Sequence, residues 1–93
     1  MATGTAIIDF GSTPTDHATI LVSGMSGLTV DSYIEAYMQG SDSTGDNTVD
    51  AHQQLAVRTQ FYCEYVSSSS MNIVADVFIG FATGTFKLRY ATA

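Results

Sequence analysis

Three stretches of this chain follow the two-residue apolar–polar period of a half-buried strand: Ser32-Tyr33-Ile34-Glu35-Ala36-Tyr37-Met38, Met71 to Ile79, and Thr83-Gly84-Thr85-Phe86-Lys87-Leu88-Arg89-Tyr90. Successive side chains of a strand point to opposite faces, so a period of two marks strands packed on one side. No stretch keeps the three-and-four spacing of an amphipathic helix for more than two turns. In the last stretch Phe86, Leu88 and Tyr90 share one face, predicted to pack, while Thr85, Lys87 and Arg89 share the other, predicted to meet water or a partner.

Turn-forming residues divide the remainder. Ala2 to Phe10 reads as a first strand, ended by Gly11-Ser12-Thr13-Pro14-Thr15-Asp16 with the only proline. His17 to Ser23 reads as a second, turned by Gly24-Met25-Ser26-Gly27, and Ser32 to Gln39 as a third, running into the polar stretch Gly40 to Asn47. Val49 to Val57 fits two templates, since Val49, Gln53 and Ala56 suit a short helical turn and Leu55-Ala56-Val57 suits the start of a strand. Arg58 to Val66 is a predicted strand and Ser67 to Ser70 a turn. Met71 to Gly80 and Thr83 to Ala91 are predicted to form a hairpin over Phe81-Ala82. Short strands at this spacing predict an all-β fold: a single β-sandwich or flattened barrel of six to seven antiparallel strands, one domain over residues 1–93.

Composition changes this picture in one respect. A chain of 93 residues buries only about 60% of its unfolded surface, so its core is small. Charged residues make up 13% of the chain, whereas a self-reliant soluble surface commonly carries about 25–35%. Surfaces partly covered by neighbours are therefore expected. The net charge of -6 and only three basic residues, Arg58, Lys87 and Arg89, argue against nucleic acid and anionic membranes as partners. Apolar runs such as Ile20-Leu21-Val22 and Phe78-Ile79 are far shorter than the ~20 residues that span a bilayer. No basic residue precedes an apolar stretch near the start, so no signal peptide is expected and the chain is expected to fold where it is made.

Candidate chemistry is sparse. Cys63, in step with Phe61 and Tyr65, reads as a small apolar filler, because a reactive thiol needs an adjacent cation or helix N-terminus. Asp42-Ser43-Thr44-Gly45-Asp46-Asn47 places oxygen ligands at the first, third and fifth positions of a calcium loop. Asn47 replaces the required glycine and Gln53 the bidentate glutamate, so a solvated loop is expected. Asp50-Ala51-His52 would put carboxylate and imidazole on one strand face as a hydrogen-bonded pair. Glu35 and Glu64 sit in strands, suited to solvent or interface positions and not to a glycosidic carboxylate pair. No serine lies in a Gly-x-Ser-x-Gly elbow. No catalytic residue, metal or cofactor is expected. Tyr33 and Tyr37 flank Glu35 on one strand face, and Tyr62 and Tyr65 lie on another strand. Tyrosine at such positions suits an interface, a sugar-binding surface or a core rim. The candidate interface is thus Tyr33, Glu35 and Tyr37 together with Thr85, Lys87 and Arg89.

The blocks Thr3-Gly4-Thr5-Ala6-Ile7-Ile8-Asp9-Phe10-Gly11, Val22-Ser23-Gly24, Ser32-Tyr33-Ile34-Glu35-Ala36, Asp50-Ala51-His52 and Gly84-Thr85-Phe86-Lys87-Leu88-Arg89-Tyr90 resemble a group of small β-rich virion structural proteins of tailed bacteriophages, over nearly the whole chain. Asp50-Ala51-His52 departs from the Asp-Glu-His form of that group, which weakens any metal or charge-cluster role there. The resemblance implies a particle component that is not an enzyme, folded in the host cytoplasm and then part of the virion. Capsid decoration, cement or a head-fibre-type subunit is the expected role, with copies of itself and the major capsid protein as partners. A tail or fibre module binding a carbohydrate or host-surface ligand through its tyrosines and the 40–50 loop is the alternative. The resemblance carries over no catalytic residues.

The register of the last strand is directly testable. Leu88→Asp is expected to destabilise the fold by several kcal/mol and Lys87→Asp to leave it nearly unchanged, because only the first forces a carboxylate into a packed face. Thermal melts check this, and equal losses would show the register to be wrong.

Overall fold

The computed structural model describes residues 2–92. The elements in chain order are β1 (Ala2–Asp9), β2 (His17–Val22), β3 (Ile34–Tyr37), α1 (Val49–Ala56), β4 (Thr59–Ser67), β5 (Ser70–Val77) and β6 (Thr85–Thr92). The strands form two antiparallel three-stranded sheets, a first of order β1-β6-β3 and a second of order β2-β5-β4. β1 lies beside β2 and β3 beside β4 at the two sides of the stack. The all-β sandwich expected from the alternation is the fold observed. No helix among the described residues is long and apolar enough to cross a membrane.

The core is built from the faces that alternation predicts. From the first sheet come Ile8, Phe86 and Leu88, flanked by Ala6, Ile34, Ala36 and the half-buried Tyr90. From the second come Ala18, Val22, Met71, Ile73, Ala75 and Val77, with Phe61 and Cys63 packed against them. Each fully buried aliphatic side chain here contributes about 1.5–3 kcal/mol of transfer free energy. Phe10 meets Phe86 edge-on, with centroids 5.7 Å apart. Gly4 is paired with Tyr90 across the β1–β6 ladder, and a Cβ at Gly4 would collide with the Tyr90 ring. The strand glycine therefore makes room for a large aromatic lying over it.

Val49–Ala56 resolves as helix. Thr48 caps it, accepting from the Ala51 N–H at 3.2 Å, and Asp50 sits in the first turn, where a carboxylate favours the helix dipole. Its buried residues are His52 and Leu55, whereas Val49 is exposed. The predicted Asp50–His52 pair does not form, because residues two apart on a helix point nearly opposite ways: Asp50 is exposed and His52 enclosed.

The predicted hairpin of Met71 to Gly80 with Thr83 to Ala91 is also corrected. β5 is the centre of the second sheet and β6 the centre of the first, so the segment between them crosses from one layer to the other. Gly80 and Gly84, with φ of 87° and 75°, turn the chain out of the strand direction. Thr15 and Ala82 exchange both backbone hydrogen bonds, which ties this crossing to the β1–β2 connection. The hairpin that does form is β4–β5, over Ser68 and Ser69, with the Ser67 and Ser70 hydroxyls 2.7 Å apart. Met25 and Leu28 then dock on that turn, their N–H groups donating to Ser69 and Ser68 carbonyls, and both side chains are buried.

One polar atom is stranded by this packing. Thr59, opposite Val77 in the ladder, is buried, and its Oγ1 has no hydrogen-bond partner. Thr59→Val keeps the shape and removes an unpaired hydroxyl, so it is expected to stabilise the protein by about 1 kcal/mol. Chemical denaturation checks this. A loss of stability would show that the hydroxyl has a partner after all.

Candidate functional site

Five of the six predicted interface residues lie on the outer face of the first sheet. Glu35 faces Ala91 and Tyr37 faces Arg89 across β3–β6, while Thr85, Lys87 and Arg89 share the parity of β6 opposite to buried Phe86 and Leu88. The sixth, Tyr33, precedes β3, and its hydroxyl donates to Glu35 Oε2 at 2.7 Å. That bond and the negative charge of Glu35 raise the Tyr33 pKa above the ordinary phenol value. Tyr33 and Tyr37 are both exposed.

One of the two cations of this face, Arg89, is already paired. Arg89 makes a two-pronged ion pair with Asp42, Nε to Oδ2 at 3.0 Å and Nη2 to Oδ1 at 2.8 Å. Hydrogen bonding to this guanidinium holds the Asp42 carboxyl below the usual carboxylate range, outweighing the opposite effect of burial. The same bond raises the Arg89 pKa.

Asp42 belongs to the stretch expected to be a solvated loop, and the structure corrects that expectation. β3 ends at Tyr37 while β6 begins at Thr85, so the part of β6 near Thr85 and Lys87 has no strand on that side. Phe10 and Gly84 bond across β1–β6, so the even-numbered residues of β6 turn their backbone groups to β1 and the odd-numbered ones turn theirs to the open side. Side chains of the loop and helix fill the gap. Thr85 N–H donates to Asp46 Oδ2 at 3.0 Å, and Thr85 O accepts from Thr44 Oγ1 and Asn47 Nδ2, each at 2.8 Å. Lys87 N–H donates to His52 Nε2 at 3.0 Å, while His52 Nδ1 lies 2.9 Å from Thr48 O. A carbonyl only accepts and a backbone N–H only donates, so this imidazole is the neutral Nδ1–H tautomer. Its ring also packs on Phe86, with centroids 4.9 Å apart.

This arrangement reassigns the calcium-loop resemblance. The Asp42 and Asp46 carboxylates and the Thr44 hydroxyl are engaged with β6, and no group of three or more His, Cys, Asp or Glu side chains converges on a metal position among the described residues. An open cleft beside the loop is lined by Asp9, Ser12, Asp46 and the glycines at 11, 45 and 84. Asp9 there accepts from Gly11 N–H, and neither imidazole nor thiol reaches it. Cys63 is half-buried, and burial with the charge of Glu35 pushes its thiol pKa up, as suits a packing thiol. On the outer face of the second sheet His17 Nδ1 pairs with Asp76 Oδ1 at 2.6 Å.

What the sequence reading missed is an apolar tip. Val57, Phe78, Ile79 and Phe81 are 85%, 62%, 74% and 63% exposed. Arg58 stands among them without facing out: its Nη1 donates to Ile79 O at 2.8 Å, with Phe81 O at 3.5 Å, and its own carbonyl accepts from Phe78 N–H at 2.8 Å. The guanidinium thus fixes the backbone of the crossing segment, and the apolar side chains project. Gly80 sits so close to this guanidinium that a Cβ would lie 3.0 Å from Nη1. The available signal was the break in alternation, Val77-Phe78-Ile79-Gly80-Phe81, where apolar residues continue past the strand.

Comparison of the chain with protein-family models, with curated proteins and with solved structures finds no match.

The Asp42–Arg89 pair carries a pH signature. A carboxyl whose folded pKa is depressed adds stability that is complete above the unfolded value near ~4 and disappears as pH falls through the lower folded value. Asp42→Asn is expected to lower the melting temperature at pH 7, with the difference from the parent shrinking as pH drops below about 4. Melts across pH 2 to 7 check this, and a constant difference would show that the pair adds no acid-sensitive stability.

Proposed function

We propose that this chain is a non-enzymatic assembly subunit that acts by protein–protein contact, and that the tip formed by Val57, Phe78, Ile79 and Phe81 is the surface it buries against a partner. The observation that carries this reading is four large apolar side chains, all more than 60% exposed, on a backbone held by Arg58. Large apolar side chains left exposed around one segment of a small protein mark an interaction site, and aromatic anchors are enriched at the centres of interfaces. The low charged fraction of 13% agrees with surfaces that neighbours cover. The resemblance to small virion proteins supplies the setting: a decoration, cement or head-fibre-type subunit whose partners are its own copies and the major capsid protein.

Exposed Tyr33 and Tyr37 beside Glu35 favour a second reading, the binding of a carbohydrate on the outer face of the first sheet. The loop that would share such a site already spends Asp42, Thr44, Asp46 and Asn47 on β6, which favours the first reading.

Cosedimentation with empty phage particles and binding to a glycan panel separate the two. The double variant Phe78→Ser, Ile79→Ser should melt within about 0.5 kcal/mol of the parent, since exposed side chains are removed. It should also lose particle binding. Binding to glycans that survives this change and is lost in Tyr37→Ala would establish the second reading instead.

A further inference from the structure

We infer that the free edge of β1 pairs antiparallel with β1 of a second copy of this chain, joining two first sheets across a two-fold axis into one sheet. β1 is an edge strand whose only ladder is with β6. The even-numbered residues bond to β6, so Thr3, Thr5 and Ile7 aim their N–H and C=O groups outward. Although β2 lies beside β1, no ladder joins them. These backbone groups therefore meet water or another chain.

Natural sheets blunt their edges with short strands, charges, prolines or bulges, because a bare edge invites another strand. Three of the four edges here are less open. β3 has four residues and carries Glu35. β4 is irregular between Tyr65 and Ser67 and carries Glu64. β2 has six residues and begins at the His17–Asp76 pair. β1 has eight residues and, from Ala2 to Ile8, neither charge nor proline nor register shift.

The partner that fits is β1 itself. An antiparallel pair centred on Thr5 sets Thr5 against Thr5 and Thr3 against Ile7, with Asp9 outside the paired stretch. Both strands bring outward-facing odd residues into register, so each of Thr3, Thr5 and Ile7 gives one hydrogen bond and accepts one. Threonine and β-branched pairs are favourable across strands. Each copy carries a net charge of -6, so a self-contact is best placed on an uncharged strand, and β1 is one. A two-fold contact of this kind closes, so it gives a dimer and not an open fibre. It uses none of the tip residues.

Two measurements test it. In sedimentation equilibrium the unaltered chain should be a dimer, and Thr5→Lys, at an exposed position, should weaken it by about tenfold or more by placing like charges on the axis. Thr5→Pro should do the same by removing an outward N–H that β6 does not use. In amide exchange, Thr3, Thr5 and Ile7 should be protected like Gly4, Ala6 and Ile8 in the dimer and exchange rapidly in folded Thr5→Lys. The proposal is overturned if the unaltered chain is monomeric at millimolar concentration, if the dimer persists in folded Thr5→Lys, or if Phe78→Ser, Ile79→Ser dissociates it. The last outcome would assign self-association to the tip, so failure here and failure of the proposed function are separable.

Discussion

The first sheet rests on a mismatch of strand lengths. β6 is eight residues long and central, but β3 pairs only with the stretch from Arg89 to Thr92, leaving the backbone at Thr85 and Lys87 without a strand partner on that side. Backbone amides in the interior of a sheet must be satisfied. The chain meets this need with side chains: Asp46, Thr44 and Asn47 at Thr85, and His52 at Lys87. Order in the segment from Asp42 to His52 follows from that requirement.

Much of the chemistry that looks functional is absorbed by the same requirement. Asp42 neutralises Arg89, so the β6 cation nearest the tyrosines has little charge to offer a partner. The oxygen atoms that imitate a calcium loop are hydrogen-bonded to a strand, and the His52 imidazole is held in one tautomer between two backbone groups. A structural duty accounts for the placement of Asp42, Thr44, Asp46, Asn47 and His52.

Immediately before β6 the constraint is the passage between layers. β5 and β6 are central strands of different sheets, and the segment joining them buries only Ala82 among its apolar residues. Arg58 and Thr15 hold its backbone, and Phe78, Ile79 and Phe81 are left outside. A protein with a small core leaves such residues unburied only at a cost in solubility, which is the physical basis of the proposal that a partner covers them.

The sequence by itself determined the strands, their faces and the class of fold, because a two-residue period is a local property. Phe86, Leu88, Ile73 and Ala75 point inward as their alternation requires, and the Ser67 to Ser70 turn lies where its composition places it. Parity also grouped Thr85, Lys87 and Arg89 on one face of β6, but what set Tyr37 and Glu35 beside Arg89 and Ala91 is the β3–β6 pairing. Pairing is a different matter: alternation in Met71 to Ile79 and Thr83 to Tyr90 fits a hairpin as well as two separate sheets, and only the crossing through Gly80, Ala82 and Gly84 decides between them. Composition was equally silent on the polar loop, where the same Asp, Thr and Asn residues serve in water or against a strand. His52 finds Lys87 35 residues away and Asp42 finds Arg89 47 residues away. Partners at such separations are chosen only when the layers assemble, so tertiary structure decided which polar groups are spent inside the fold and which apolar groups remain outside it.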